Sequence, residues 1–114
     1  MLAGLLNIEI EQGATFNLEF LYQDENGNPI DLTGMTARMQ LRRTYNSPDA
    51  LLSLTNANGR IIFDPFAGKI TLSVSATDTT PLTGSGVYDL ELIDGSTVNR
   101  ILEGSFKVCA EATK

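Results

Sequence analysis

From Ala14 to Tyr22 the chain alternates with period two, placing Phe16, Leu18, Phe20 and Tyr22 on one face and Thr15, Asn17, Glu19 and Leu21 on the other. It is the strongest strand signal in the sequence. Before it, Leu6, Ile8 and Ile10 alternate with Asn7, Glu9 and Glu11, and Gln12-Gly13 interrupts the two runs, a break that allows them to belong to different sheets. Asp24-Glu25-Asn26-Gly27-Asn28-Pro29 is dense in residues that favour chain reversal, with Asn26-Gly27 as the expected tip. A second turn-like stretch, Ile30 to Gly34, leads into Thr36 to Arg43, where Ala37, Met39 and Leu41 face inward and Arg38, Gln40 and Arg42 outward.

The second half repeats the pattern with shorter runs. Pro48 sits in a loop from Thr44 to Ala50, because proline does not suit a central strand, and Leu51 to Leu54 reads as a short edge strand. Asn56 to Gly59 turns the chain into Arg60 to Asp64, and Pro65 to Gly68 turns it again into Lys69 to Val74, with Ile70, Leu72 and Val74 inward. Ser75 to Thr80 predicts one helical turn capped by Ser75, with Asp78 reciprocating as in a capping box, and no longer helix. Val87 to Ile93 carries Tyr88, Leu90 and Leu92 on one face, and Asp94-Gly95-Ser96 predicts a tight hairpin into Thr97 to Glu103. Gly104 marks an expected bulge before Ser105 to Ala110, where Phe106, Val108 and Ala110 share a face, and Glu111 to Lys114 is an expected frayed end.

About eight short strands separated by regular turn signals predict an all-β fold, a sandwich of two antiparallel sheets with at most one helical turn. A small barrel is the alternative architecture. At 114 residues without a linker, repeat or low-complexity tract, the chain is expected to be one domain spanning 1–114, with residues 1–6 as a docking arm.

Charge narrows the partners. A net charge of −6 repels a phosphate backbone, so nucleic acid is not an expected partner. The cluster Arg38, Arg42 and Arg43 reads as solvated residues beside a strand rather than an anion site. The apolar start Met1-Leu2-Ala3-Gly4-Leu5-Leu6 has no basic residue before it and ends at Asn7, too short for a signal or membrane segment. No membrane partner and no secretion signal are therefore expected.

The residues for most chemistry are missing. There is no His to activate a Ser or Cys nucleophile, and Cys109 stands alone, without a partner for a disulfide or a zinc site. Asp24, Asn26 and Asn28 begin like a calcium loop, but Pro29 falls where its glycine is needed and Met35 where its bidentate glutamate is needed, so a hairpin turn is the better reading. Asp89 with Glu91, or Glu9 with Glu11, would lie about 7 Å apart on one strand face, a spacing a glycosidase could use and any wet strand face also shows. No Trp is present to stack a sugar ring. No enzyme activity, cofactor, metal or small-molecule substrate is expected. Phe16, Phe20, Tyr88 and Phe106 fall on inward faces, which leaves Tyr45, Phe63 and Phe66, with Met1, Leu2, Leu5 and Leu6 of the arm, as candidate protein-interface residues.

Several segments in order carry a resemblance. Gln12-Gly13-Ala14-Thr15-Phe16-Asn17-Leu18, Asn28-Pro29-Ile30-Asp31-Leu32-Thr33-Gly34, Thr36-Ala37-Arg38-Met39-Gln40-Leu41-Arg42, Gly68 to Ser75 and Tyr88-Asp89-Leu90-Glu91-Leu92 resemble small virion proteins of tailed bacteriophages. The chain is also similar to the N-terminal domain of phage baseplate upper proteins, which implies an immunoglobulin-like sandwich. The resemblance implies a non-catalytic structural subunit of the virion, in the tail, baseplate or a connector or decorating position. Its expected partners are other virion proteins in a homo- or hetero-oligomeric assembly. The competing expectation is a free-standing carbohydrate-binding or adhesion module that recognises cell-surface glycans.

Overall fold

The period-two runs become strands in the computed structural model, which describes residues 4–113, and the two expected runs on either side of Gly104 join into one. The strands are β1 (Gly4–Leu5), β2 (Ile8–Glu11), β3 (Phe16–Leu21), β4 (Thr36–Arg42), β5 (Leu52–Thr55), β6 (Ile61–Asp64), β7 (Lys69–Val74), β8 (Ser85–Asp94) and β9 (Thr97–Cys109). A 3-10 turn, Pro65–Ala67, joins β6 to β7, and a four-residue helix, α1 (Ala76–Thr79), follows β7. One sheet has the order β1-β9-β8-β4-β5, with β2 continuing beside β1 along β9, and the other has the order β3-β7-β6. The two sheets form the expected sandwich.

The inward positions fill its core. Ile8 and Ile10 on β2, Ala37, Met39 and Leu41 on β4, Tyr88, Leu90 and Leu92 on β8, and Phe106 and Val108 on β9 face Ile70, Leu72 and Val74 on β7 and Ile61 on β6. A sandwich needs only this, because the hydrophobic effect rewards removing one face of each sheet from water and asks nothing of the other.

Three expectations are corrected. The larger sheet is not wholly antiparallel: β1 and β2 run parallel to β9, Ile8 opposite Phe106 and Ile10 opposite Val108. Parallel neighbours need a long crossover, and here nearly the whole chain supplies it, from the exit of β2 to the entry of β9. The bulge lies not at Gly104 but at Ile101, since Leu90 pairs with Leu102 while Glu91 pairs with Arg100. Gly104 is small for another reason, because a Cβ there would run into the carbonyl of Leu6. Finally, Ser75 does cap α1 by accepting from the Asp78 N–H at 3.2 Å, but the Asp78 carboxylate does not close a capping box. It takes the charged guanidinium of Arg60 at 2.8 Å, and that bond first, then the Ser75 hydroxyl, holds its carboxyl below the usual range.

The passage between sheets is fastened by side chains. Gly13 takes a left-handed conformation at φ 79°, and its N–H donates to the hydroxyl of Thr79, a polar residue with no exposed surface. The Thr79 hydroxyl donates in turn to the carbonyl of Ala14 at 2.9 Å. Gln12 donates to the carbonyls of Thr80 and Leu82 at 3.0 and 3.2 Å and accepts from the Glu111 N–H at 3.1 Å. Tyr88, buried in the core, donates its phenol to the Leu6 carbonyl at 2.5 Å and so anchors the segment between β1 and β2.

Two outcomes follow for stability. At Gly86 a Cβ would press into the carbonyl of Arg42 and lie 2.7 Å from the buried ring of Phe106, neither of which can yield, so Gly86→Ala should cost about 1–3 kcal/mol in urea unfolding. Gly4→Ala, whose Cβ would make ordinary 3.6 Å contacts, should leave the midpoint unchanged. Burial, and secondarily the nearby Tyr45, pushes the Tyr88 phenol from 10.0 up to about 12. A raised pKa means the folded state holds the proton more tightly, so this contribution is complete below pH 10 and lost as pH rises toward about 12. Tyr88→Phe should remove that alkaline loss and lower stability at neutral pH by about 1 kcal/mol, the Leu6 carbonyl having lost its donor.

Candidate interaction surfaces

The residues singled out from sequence do not converge on one site. Leu5, on β1 opposite Glu103, is 79% exposed, and Leu6 next to it is 39% exposed. The backbone of this segment is already used within the chain, as Leu6 donates to the Glu103 carbonyl at 2.9 Å. Met1 and Leu2 lie outside the described residues. Tyr45 is exposed in the loop after β4, beside a shallow hollow of about 160 Å³ lined by Gln40, Arg42 and Asp89. Phe63 and Phe66 part company: Phe63 is half-buried against the core on β6, and Phe66, in the 3-10 turn, is 78% exposed. Leu21 and Ile62, on the outward face of the three-stranded sheet, are also more than half exposed.

The outward face of the larger sheet carries three of the ion pairs. Arg38 pairs with Glu91 across the strands at 2.7 Å, and Arg100 lies 3.4 Å from both Asp89 and Glu103. Burial raises the Asp89 carboxyl above its ordinary range, with Arg100 opposing. Asp89 and Glu91, the pair a glycosidase reading would use, are thus each engaged by a different arginine. The other two basic residues of the sequence cluster are also occupied, Arg42 with Gln40 and the Ser47 carbonyl, Arg43 with the Thr83 and Ser85 carbonyls. In the first turn, Asp24 accepts from the N–H groups of Asn26 and Asn28 at 2.9 Å each, so its carboxylate closes a turn. Among the described residues no three His, Cys, Asp or Glu are grouped to hold a metal ion, and no helix is long and apolar enough to cross a membrane.

Sequence reasoning missed a cleft of about 390 Å³ between β2 and β3, lined by Leu6, Ile8, Phe16 and Leu18 within and Glu9 and Glu11 at its rim. It opens because both strands are edges, β2 of one sheet and β3 of the other. Their inward residues differ accordingly. Phe16, Leu18 and Phe20 are only half-buried, while their ladder partners Val74, Leu72 and Ile70 on the central strand are at most 2% exposed. The run from Phe16 to Phe20 announced a strand, and nothing local in it announces that one side has no neighbour.

No family model matches the chain, and no curated protein matches its sequence. Solved structures do. The chain is similar to Tim-1, with a TM-score of 0.50 and 14% identity over 99% of both chains. It is similar to the extracellular domains of the voltage-gated sodium channel beta4 subunit, described as parallel homodimers with a role in cell-cell adhesion, with a TM-score of 0.53 and 12% identity over 97% of this chain and 96% of that one. An endo-fucoidan hydrolase of glycoside hydrolase family 107 matches with a TM-score of 0.53 and 15% identity over 96% of this chain, which spans 13% of that protein's length. At such identities the likeness is one of fold, and in fold the chain is an immunoglobulin-like β-sandwich.

Proposed function

We propose that this domain is a non-catalytic subunit that works through protein–protein contacts, and that it serves in a bacteriophage particle as a tail, baseplate or connector/decorating component. The first half of the reading is carried by apolar side chains left in water after the core is complete: Leu5, on the edge strand β1 of the larger sheet, and Phe66, in the 3-10 turn between two strands of the smaller one, are 79% and 78% exposed. Side chains of that size each forfeit about 1.5–3 kcal/mol of burial, which a neighbouring subunit would recover. Two such positions, on different sheets, suit a component that touches more than one neighbour. The Ig-like likeness to an adhesion domain that forms homodimers supports a role in contacts. The virion setting rests on the order of segments that resembles small phage virion proteins.

Expressed together with the products of neighbouring genes, the chain should co-sediment with a symmetric assembly at fixed stoichiometry. The double substitution Leu5→Ser with Phe66→Ser should lower the incorporated fraction several-fold while leaving the thermal unfolding midpoint unchanged. A chain that sediments as a free monomer beside completed particles, or that binds a glycan array in that form, overturns the reading.

A further inference from the structure

We infer that the open edge of β3 is a docking site for an extended peptide segment of another protein, one that alternates apolar and basic residues and adds to the three-stranded sheet as a fourth strand. The inference rests on the reading that the domain acts through protein contacts, not on the phage setting.

The backbone defines the site. Tyr22 donates its N–H to Gly68 at 2.7 Å, which places the even-numbered residues of β3 with their polar backbone groups toward β7. By the alternation of an antiparallel ladder, Asn17, Glu19 and Leu21 direct theirs away from the sheet, to the free edge. In the constant-type immunoglobulin sandwich a first strand covers this edge, giving a four-stranded sheet. Here both opening strands go to β9 instead, so among the described residues the edge stays open over Phe16–Leu21, about 20 Å of strand.

Side chains supply the rest. An added strand would lay alternate residues over Phe16, Leu18 and Phe20, the half-open inward residues of β3, and would close the cleft against Leu6 and Ile8. Charge selects the occupant. The cleft is rimmed by Glu9 and Glu11, and Glu19 follows on the outward side of β3. Lys107 on β9 stands opposite Glu9, and Lys69 on β7, opposite Leu21, reaches diagonally to within 3.4 Å of Glu19, so both cations lie on the side of β2 and β3 away from the free edge. A basic segment therefore meets three carboxylates against two lysines, on a chain whose net charge is −6, whereas a second copy of this chain would bring like charge to like.

The test titrates the isotope-labelled full chain with a synthetic peptide of about eight residues alternating valine and lysine, followed by amide NMR. The amides of Asn17, Glu19 and Leu21 should shift and become slower to exchange. The same peptide carrying alternate N-methyl amides, and its valine–glutamate counterpart, should bind at least about tenfold more weakly. Asn17→Pro, which removes one outward donor, and the double substitution Glu9→Lys with Glu11→Lys, which reverses the rim without touching the core, should each weaken binding by a similar factor. The charge variant keeps the test decisive if the proline variant does not fold. Equal binding by the N-methylated peptide, shifts confined to the charged face of the larger sheet, or protection of the same three amides by self-association without peptide would each overturn the inference. None of these outcomes depends on whether the chain enters a particle.

Discussion

Everything in this sandwich follows from where the chain changes sheets. Between β2 and β3 it must leave one hydrogen-bonded ladder and join another within a few residues, and its backbone groups there can belong to neither. The hydroxyl of Thr79, wholly buried at the end of α1, takes the Gly13 N–H and serves the Ala14 carbonyl, while the amide of Gln12 reaches α1 on one side and the C-terminal segment on the other. Removing such a hydroxyl leaves two partly buried backbone groups unpaired at once, which costs more than the bonds contribute when made. The crossing thereby fixes two strands together: β2 is set along β9, and β3 is delivered to the outer edge of the smaller sheet, with no strand beyond it among the described residues.

That dependence explains which parts of the fold were legible in the sequence. Alternation is a local property, so β3, β4, β7 and β8 are visible in Phe16 to Phe20, Ala37 to Leu41, Ile70 to Val74 and Tyr88 to Leu92. So is the break at Gly13, where a left-handed residue is needed. Pairing is not local. The parallel course of β2 beside β9 joins residues about a hundred positions apart, and no pattern within either run encodes its direction. The bulge at Ile101 and the capture of Asp78 by Arg60 are likewise decided by what lies across the sheet. Gly104 looked like a bulge because glycine is common in bulges, but its reason is the passing Leu6 carbonyl.

The same distinction governs the surface. Phe63 and Phe66 stand three residues apart in one short segment, yet Phe63 lies on the inward phase of β6 and Phe66 in the 3-10 turn beyond it, so one meets the core and the other water. Composition cannot separate them; strand phase can, once the strand's end is known. The charged face of the larger sheet was legible as polar, and the structure adds that its acids and bases neutralise one another in cross-strand pairs such as Arg38 with Glu91. Exposed pairs of this kind contribute little to stability, but they leave that face with few unpaired charges. At the cleft the balance is less complete: Glu9 stands opposite Lys107, but Glu11 stands opposite Cys109, so the open backbone edge carries part of the chain's acidic surplus.

A sandwich of this kind is often tied through its centre by a disulfide between two facing strands, with a tryptophan packed against it. This chain has one cysteine, on β9, and no tryptophan, and the corresponding strands β3, β8 and β4 carry Leu18, Leu90 and Met39 in one apolar core. Its sheets are therefore held by packing, by the bonds at the crossing and by side-chain bonds at the β5–β6 connection, where Arg60 donates to the Ser53 carbonyl at 2.9 Å. Packing is thinnest at β3, whose inward side chains are half-open, so the edge that offers the most binding surface is also the edge that most needs covering. A segment that binds only the folded sheet stabilises it in proportion to the logarithm of its occupancy. Docking at this edge and completion of the core are accordingly one event, with the same apolar contacts counted in both.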